Sequence, residues 1–411
     1  MVTRKVRCVV EFDMVNATKN GKHYSLPFST SVAPQTDLLF AQEAVRVVSN
    51  HPTNQSLFLY MAWGSPHAPD QSPASYQALT NVSAASNAPL AHLCGVQKRR
   101  AVLGMVAVLD RAHSLLISAL QQRGLWNDTI FVFLSDNGGD QPVRSLPPRQ
   151  MCANDQFTFN YPLRGGKYSW WEGGIRTVSF IYAPKYFSTQ GNVFSNLISI
   201  ADWRPTLLSA AGLQDTADLP DAVNQWDNLV GVTETPARNG IVHQVWVELG
   251  RFAAVKMING KLWKFIRGWP AIGNFLGANG PTAGMSTKGW LEQPPELLSQ
   301  NANLSIISTK EAPNCEPMCL FQVTDDPSEL SNLAGRAEYQ PIANELNAFV
   351  SNVTSRYKTT LASNVCQSQA WDPQRILVVT DGLAFSTAAH VGGYVPWLPG
   401  SDGIKIPTVA A

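Results

Sequence analysis

Charge is scarce in this 411-residue chain: Asp, Glu, Lys and Arg make up 15% of it, against about 25% in an average soluble domain. The 31 basic and 30 acidic residues leave a formal net charge of +1, so no field steers a polyanion and nucleic acid is not an expected partner. The same scarcity excludes a coiled coil and a charged disordered chain. Long hydrophobic runs are missing as well. The longest, Leu57 to Trp63, falls far short of the ~18 residues that cross a bilayer, so no membrane span is expected and the run suits a buried strand. There is no internal repeat and no low-complexity tract. The opening residues Met1-Val-Thr-Arg-Lys-Val-Arg-Cys8 hold no apolar stretch of the signal-peptide kind. The six cysteines, Cys8, Cys94, Cys152, Cys315, Cys319 and Cys366, are scattered, and only Cys315 and Cys319 lie close together. Without a second pair or a nearby His cluster a zinc site is not expected, and that pair reads as a local disulfide or as free thiols.

Hydrophobic residues are plentiful, at 45%, and the length suffices for two domains with a real core. Six Asn-x-Ser/Thr sequons stand at Asn16, Asn54, Asn81, Asn127, Asn303 and Asn352. Glycans there would solubilise a surface that has few charges. Together with 12 Trp and six Cys they point to the secretory pathway, lysosomal or extracellular.

Two styles of structure follow one another. In the first, apolar strands (Leu57–Trp63, Thr129–Ser135, Thr177–Ala183) alternate with helices, one from about Arg100 to Arg123 with Gly124 as its stop, another from Trp203 to Gly212. That alternation predicts an α/β domain with a mostly parallel sheet sandwiched by helices over residues 1–240. The second style predicts a smaller antiparallel-sheet α+β domain over 241–365. Phe252–Ile258 and Lys261–Arg267 flank Asn259-Gly260, a strong hairpin signal, and Leu320–Val323 could add a strand. Ile342, Leu346, Phe349 and Val350 mark a closing amphipathic helix, and 366–411 reads as an irregular tail.

In open α/β sheets the residues just past the strands carry the chemistry. After the first strand comes Ser65-Pro66-His67-Ala-Pro69, a histidine between two prolines. After the second comes Ser135-Asp136-Asn137-Gly138-Gly139, whose carboxylate and amide oxygens would suit Ca²⁺ or Mg²⁺, although the same residues are ordinary turn chemistry. A third element, Leu163-Arg-Gly-Gly-Lys167-Tyr-Ser-Trp-Trp-Glu-Gly-Gly174-Ile-Arg176, brackets a lysine with glycine pairs that could bring it close to an anion, or could be a surface loop. His67 by itself could equally be a satisfied loop histidine.

Taken in this order, the three elements resemble the sulfatase family, closest to the arylsulfatase B type. The likeness continues through Ile200-Ala-Asp-Trp-Arg-Pro-Thr206, the hairpin Lys256–Gly268 and Leu320-Phe-Gln-Val-Thr-Asp-Asp326-Pro327-Ser-Glu329. The resemblance implies a sulfuric ester hydrolase acting on aryl or sugar sulfates, with one Ca²⁺ and a formylglycine nucleophile made from Cys or Ser. Position by position it implies that Asp136 and Asn137 bind the metal, that His67 is catalytic beside the leaving oxygen, and that Lys167 grips the sulfate.

Other parts of the family pattern are not found. Nothing before Tyr24 matches the Asp pair and the Cys-x-Pro-x-Arg that open it, so the sequence is expected to enter that pattern about a third of the way in. Cys315-Glu-Pro-Met-Cys319 lacks the arginine, and Ser145-Leu-Pro147-Pro-Arg149 lies in the wrong place; both are read as coincidence. Ser199, standing where relatives tend to have His, is assigned no role. Weak Ca²⁺ binding and no turnover are therefore expected, with a dead fragment or a pseudoenzyme that binds sulfated glycans or a partner as the alternative.

Overall fold

The computed structural model describes residues 7–9, 17–19, 22–24, 36–67, 70–80, 90–140, 158–187, 191–217, 219–246, 250–268, 270 and 315–361. Three short strands come first, β1 (Arg7–Val9), β2 (Ala17–Lys19) and β3 (Lys22–Tyr24), followed by helix α1 (Thr36–Asn50). Asp37, Ala41, Ala44 and Val48 are the buried residues of α1, and their spacing of three and four is the stripe of a helix lying on a core. Strand β4 (Leu57–Leu59) pairs in parallel with β1, Arg7 opposite Leu57. The one-turn helix α2 (Ala74–Gln77) and the long helix α3 (Leu90–Gln122) follow. Gly124, at φ 67°, ends α3, and Leu125 N–H returns to the Leu120 carbonyl at 2.8 Å, the expected glycine stop.

Within α3, Val96–Gln122 has the length and mean hydropathy of a bilayer-crossing helix, although no uninterrupted apolar run was visible. Its buried residues are occupied inside the protein: Leu116, Ala119 and Leu120 pack with Ala44 and Val48 of α1 and with Leu57 and Leu59 of β4. Helix α3 is thus the floor of a helix–strand layer.

Strand β5 (Phe131–Leu134) runs antiparallel to β6 (Ser179–Tyr182), Phe131 opposite Tyr182, an antiparallel pair in a domain whose sheet is expected to be mostly parallel. Parallel neighbours need a crossover, usually a helix of several turns. Among the described residues between β5 and β6 the only helix is the single turn α4 (Glu172–Ile175). Next come α5 (Trp203–Ala210) and α6 (Trp226–Leu229). Ser199, given no role from the sequence, caps the 3₁₀ turn before α5: its hydroxyl accepts from Ala201 N–H and its own N–H donates to Asp202 at 2.9 Å.

The second sheet has the order β10-β9-β8-β7, built from β7 (Gly240–Trp246), β8 (Arg251–Ile258), β9 (Lys261–Gly268) and β10 (Cys315–Gln322), all antiparallel. Asn259 and Gly260, at φ 51° and 73°, make the tight turn of the β8–β9 hairpin as the sequence predicts. Cys315 and Cys319 form a disulfide and are fully buried, so the free-thiol alternative falls, and neither sulfur is a nucleophile. Helix α7 (Gln340–Leu361) covers one face of this sheet, with Ala343, Leu346 and Val350 against Phe252, Ala254, Trp263 and Phe265. The other face buries Ala253, Ile266 and Phe321 against Trp170 and Trp171. Of the sequons, Asn54, Asn127 and Asn352 are exposed; Asn16, Asn81 and Asn303 lie outside the described residues, as do Ser145–Arg149 and the tail 366–411.

Candidate active site

The loop after β4 is held from below by one buried carboxylate. Asp37, in the first turn of α1 and only 2% exposed, accepts Gly64 N–H at 2.8 Å on Oδ1 and Ser65 N–H at 3.1 Å on Oδ2. The Ser65–Pro66 peptide is cis, and His67 N–H closes the turn on the Gly64 carbonyl at 3.0 Å. Thus an acid on a helix fixes the backbone that presents His67. Asp70, just beyond, has a carboxyl that burial pushes up, countered by Lys98 at 3.7 Å and lifted further by the Asp140 charge.

The loop after β5 turns on itself. Asp136 Oδ1 accepts both the backbone N–H and the side-chain amide of Asn137, at 2.8 and 2.6 Å, and the Ser135 hydroxyl donates to the Asn137 carbonyl. The loop then lies directly on the segment 164–174. Gly138 N–H donates to Gly174, Lys167 N–H to the Gly139 carbonyl, and Asn160 clamps Gly139 and Gly165 through three bonds of 2.8 to 3.0 Å. The packing itself requires the glycines. A Cβ on Gly138 would sit 1.7 Å from the Gly173 carbonyl oxygen, and one on Gly173 would sit 2.4 Å from that of Gly165.

From this platform Lys167 reaches across to His67, a hundred residues away in sequence: Nζ lies 3.0 Å from Nε2. An ammonium has only protons to offer, so in this contact Nζ is the donor and Nε2 the acceptor. Both groups are close to the surface, Lys167 half-buried and His67 exposed. Tyr168, the next residue, holds φ 68° at the third position of the turn Gly166–Ser169, a place that favours Gly or Asn; such strain costs on the order of 1–3 kcal/mol.

Behind the loop lies an ionic cluster. Lys264, on β9, is fully buried between Glu172 at 3.1 Å and Glu329 at 2.8 Å. Glu329 Oε2 accepts Glu172 N–H at 2.6 Å, and its backbone carbonyl accepts from Arg164, whose guanidinium lies 4.1 Å over the Trp171 ring. Two carboxylates share one ammonium here. Burial pushes Glu329 up to about 7, while Lys264 holds Glu172 below the ordinary range against its own desolvation. Burial, reinforced by the Lys264 charge, pushes His243 down to about 4, so it is neutral near pH 7. Burial draws Arg164 down to about 10, still charged.

Of the residues singled out in the sequence, His67 and Lys167 are in contact, and Asp136 and Asn137 belong to the loop on which the lysine's backbone rests. Sequence reading missed Asp37, Asn160 and the buried role of Lys264. Asp37 shows only as a first-turn acid, which any helix favours, and Lys264 as one more polar residue of an alternating strand.

The family model for sulfatases matches residues 10–213, the part that contains all four singled-out residues. The chain belongs to the sulfatase family. Mouse arylsulfatase J is 27% identical over 317 residues, covering 72% of this chain and 45% of that protein. Mouse N-acetylgalactosamine-6-sulfatase is 30% identical over 181 residues, or 44% of this chain and 30% of that one. Mouse steryl-sulfatase is 29% identical over 237 residues, 57% and 33% of the two chains. This sulfatase-family chain thus spans less than half the length of these relatives. Among solved structures, Ps i-CgsB in complex with k-i-k-neocarrahexaose superposes with a TM-score of 0.51 at 22% identity, covering 80% of this chain and 56% of that one, and shares the alkaline-phosphatase-like sulfatase fold.

Sulfatases as a family use Ca²⁺ and formylglycine. The described residues do not make a Ca²⁺ site by themselves. Asp136 Oδ1 is already taken up by Asn137, and no group of three His, Cys, Asp or Glu gathers among the described residues, whereas the ion wants about 6–8 oxygens. Nor does the sequence hold a Cys-x-Pro-x-Arg.

Proposed function

We propose that this chain carries the sulfate-gripping side of a sulfuric ester hydrolase acting on aryl or sugar sulfates, built on Lys167 and His67. The observation that carries it is the 3.0 Å contact between these two side chains where three loops converge, in a sulfatase-family chain. An entering sulfate ester offers the ammonium anionic oxygens in place of the imidazole, a stronger charge-assisted partner. Released from Lys167, Nε2 can carry a proton, and a protonated imidazole would donate it to the leaving oxygen when a nucleophile that this sequence does not supply takes the sulfur. Asp37 keeps the histidine loop in place through this exchange, and Asn160 keeps the lysine loop against the Asp136 turn. Asp136 and Asn137 are the residues that would contribute to Ca²⁺, as part of a larger ligand set. Exposed sequons at Asn54, Asn127 and Asn352 suit a secreted or lysosomal setting, which is compatible with the relatives' family.

A second reading, binding of sulfated glycans without hydrolysis, is favoured by the absence of a nucleophile motif and by the locked Cys315–Cys319 disulfide. Both readings predict binding of 4-methylumbelliferyl sulfate by the purified chain, weakened about tenfold or more by Lys167→Ala. Release of 4-methylumbelliferone separates them. None is expected from this polypeptide; Ca²⁺-dependent release that disappears in His67→Ala would establish hydrolysis, and no binding at all would overturn both.

A further inference from the structure

The loop that carries Lys167 is held at both ends by one turn that follows β10. Asp326–Glu329 closes with Glu329 N–H on the Asp326 carbonyl at 3.1 Å, and the Asp326 carboxylate accepts Leu330 and Ser331 N–H at 3.1 and 2.9 Å. The Ser328 hydroxyl donates to the Pro162 carbonyl at 2.6 Å, just ahead of the loop. Glu329 takes both ends of the loop itself: its backbone carbonyl accepts from Arg164 at 2.8 Å, and its carboxylate accepts Glu172 N–H at 2.6 Å. Those ends also meet each other, because Gly173 N–H donates to the Arg164 carbonyl at 2.7 Å. Between them the tip is braced. The Ser169 hydroxyl donates to the Gly166 carbonyl at 2.7 Å and accepts Gly166 N–H at 3.2 Å, so the seat of the loop's base decides where the tip points.

Glu329 is fully buried and holds φ 53°, in the left-handed region that side chains rarely adopt. A buried carboxylate contributes less to stability than well-packed apolar residues would, and what it supplies in their place is a specified geometry. We propose that Glu329 is the positioning residue of the sulfate site: as the acceptor of Glu172 N–H it seats the base of the loop, and so fixes the direction in which Lys167 leaves it toward His67. The proposal rests on the sulfate reading of Lys167 and adds the part that the second sheet's segment plays in it. Asn160 holds the tip from the Asp136 side, through the Gly165 carbonyl, and Glu329 holds the base from the opposite side. Being buried, Glu329 acts only through the loop.

The test makes two measurements on the full chain: calorimetric affinity for inorganic sulfate, and the His67 imidazole resonance by NMR, which reports the Lys167 contact without any ligand. Glu329→Gly removes the carboxyl with a residue at home at positive φ, and Glu329→Gln keeps an acceptor for Glu172 N–H. In both, Lys264 retains Glu172 as its partner. Glu329→Gly should bind sulfate about tenfold more weakly and move the His67 resonance toward its position in Lys167→Ala. Glu329→Gln should restore both, with affinity within about twofold of the parent. A lowered thermal midpoint in Glu329→Gly with parental affinity and resonance would overturn the proposal, since Glu329 would then be a structural tie alone. So would a Glu329→Gln variant as impaired as Glu329→Gly. If Glu329→Gly does not fold, Ser328→Ala decides, because it loosens the same turn from near the surface: sulfate binding about twofold to threefold weaker and a smaller shift of the same sign are expected, and parental values overturn the proposal. A parent that binds no sulfate overturns the sulfate reading, and the resonance still decides whether Glu329 positions Lys167.

Discussion

Two lysines meet at the segment 164–174, one carried by it and one buried behind it, and they have opposite roles. Lys167 stands half-buried at the surface with the His67 imidazole as its partner. Lys264 lies on the other side, fully buried between Glu172 and Glu329, and links β9 to the loop that carries Lys167. A lysine near water keeps its charge at little cost and can exchange one partner for another, which suits ligand binding. A lysine removed from water must keep its carboxylates, because each ion left alone there carries a large desolvation penalty. The difference teaches that the site is prepared from behind: the buried charges immobilise the loop, so that the exposed charge can be mobile at its tip.

The sharpest way to break this comparison is to truncate each lysine. Lys264→Ala leaves two carboxyl groups buried around a cavity and should cost about 3–5 kcal/mol in urea unfolding, enough to endanger the fold. Lys167→Ala should change stability by less than about 1 kcal/mol while losing sulfate binding. Equal stability losses in the two variants would erase the distinction.

A second, smaller effect reads the same cluster through pH. His243, which faces Lys264 and Glu172, is held at about 4 in the folded protein against 6.5 for the free side chain. Between those values the unfolded chain binds a proton that the folded one refuses, so stability should rise with pH across that window, by up to roughly 3 kcal/mol. Glu329 acts in the opposite sense: pushed up to about 7 from 4.5, it favours the folded state at low pH, a contribution lost as pH rises through 7. The difference between the parent and His243→Gln isolates the histidine. A pH-independent difference between pH 4 and 6.5 would show that His243 is not enclosed by this cluster.

The smallest effect concerns the exposed side of the comparison. Asp37→Ala removes the acceptor of Gly64 and Ser65 N–H groups and should cost about 1–3 kcal/mol. Its distinguishing readout is the His67 imidazole resonance by NMR, which should shift and broaden as the loop loosens, and which Asp37→Asn should partly restore. An unchanged resonance would remove Asp37 from the positioning of His67.

Much of this was legible in the residues. The Asn259-Gly260 turn, the α7 stripe, the Gly124 stop and the helix after Asp202 follow from local chemistry, and the helix and hairpin boundaries agree to within a few residues except that α3 begins near Leu90 rather than Arg100. The order of three short motifs was enough to assign the family. Two things were not legible. The direction of β6 against β5 depends on what the connection does, and alternation within a four-residue strand does not carry that direction. The burial of Lys264 depends on which face of a four-stranded sheet meets Trp170 and Trp171, and alternation along one strand cannot say which face is covered.

By itself, then, the sequence determined local conformation and chemical inventory: where the chain turns, which residues can carry protons or hold anions, and the family in which they recur. Only the tertiary structure decided what each charge is for. Lys167 and Lys264 have the same side chain, and their roles diverge because one meets solvent and the other meets two carboxylates in the interior. Solvation is a property of the packed chain, and it decides whether an ammonium stabilises a fold or waits for a ligand.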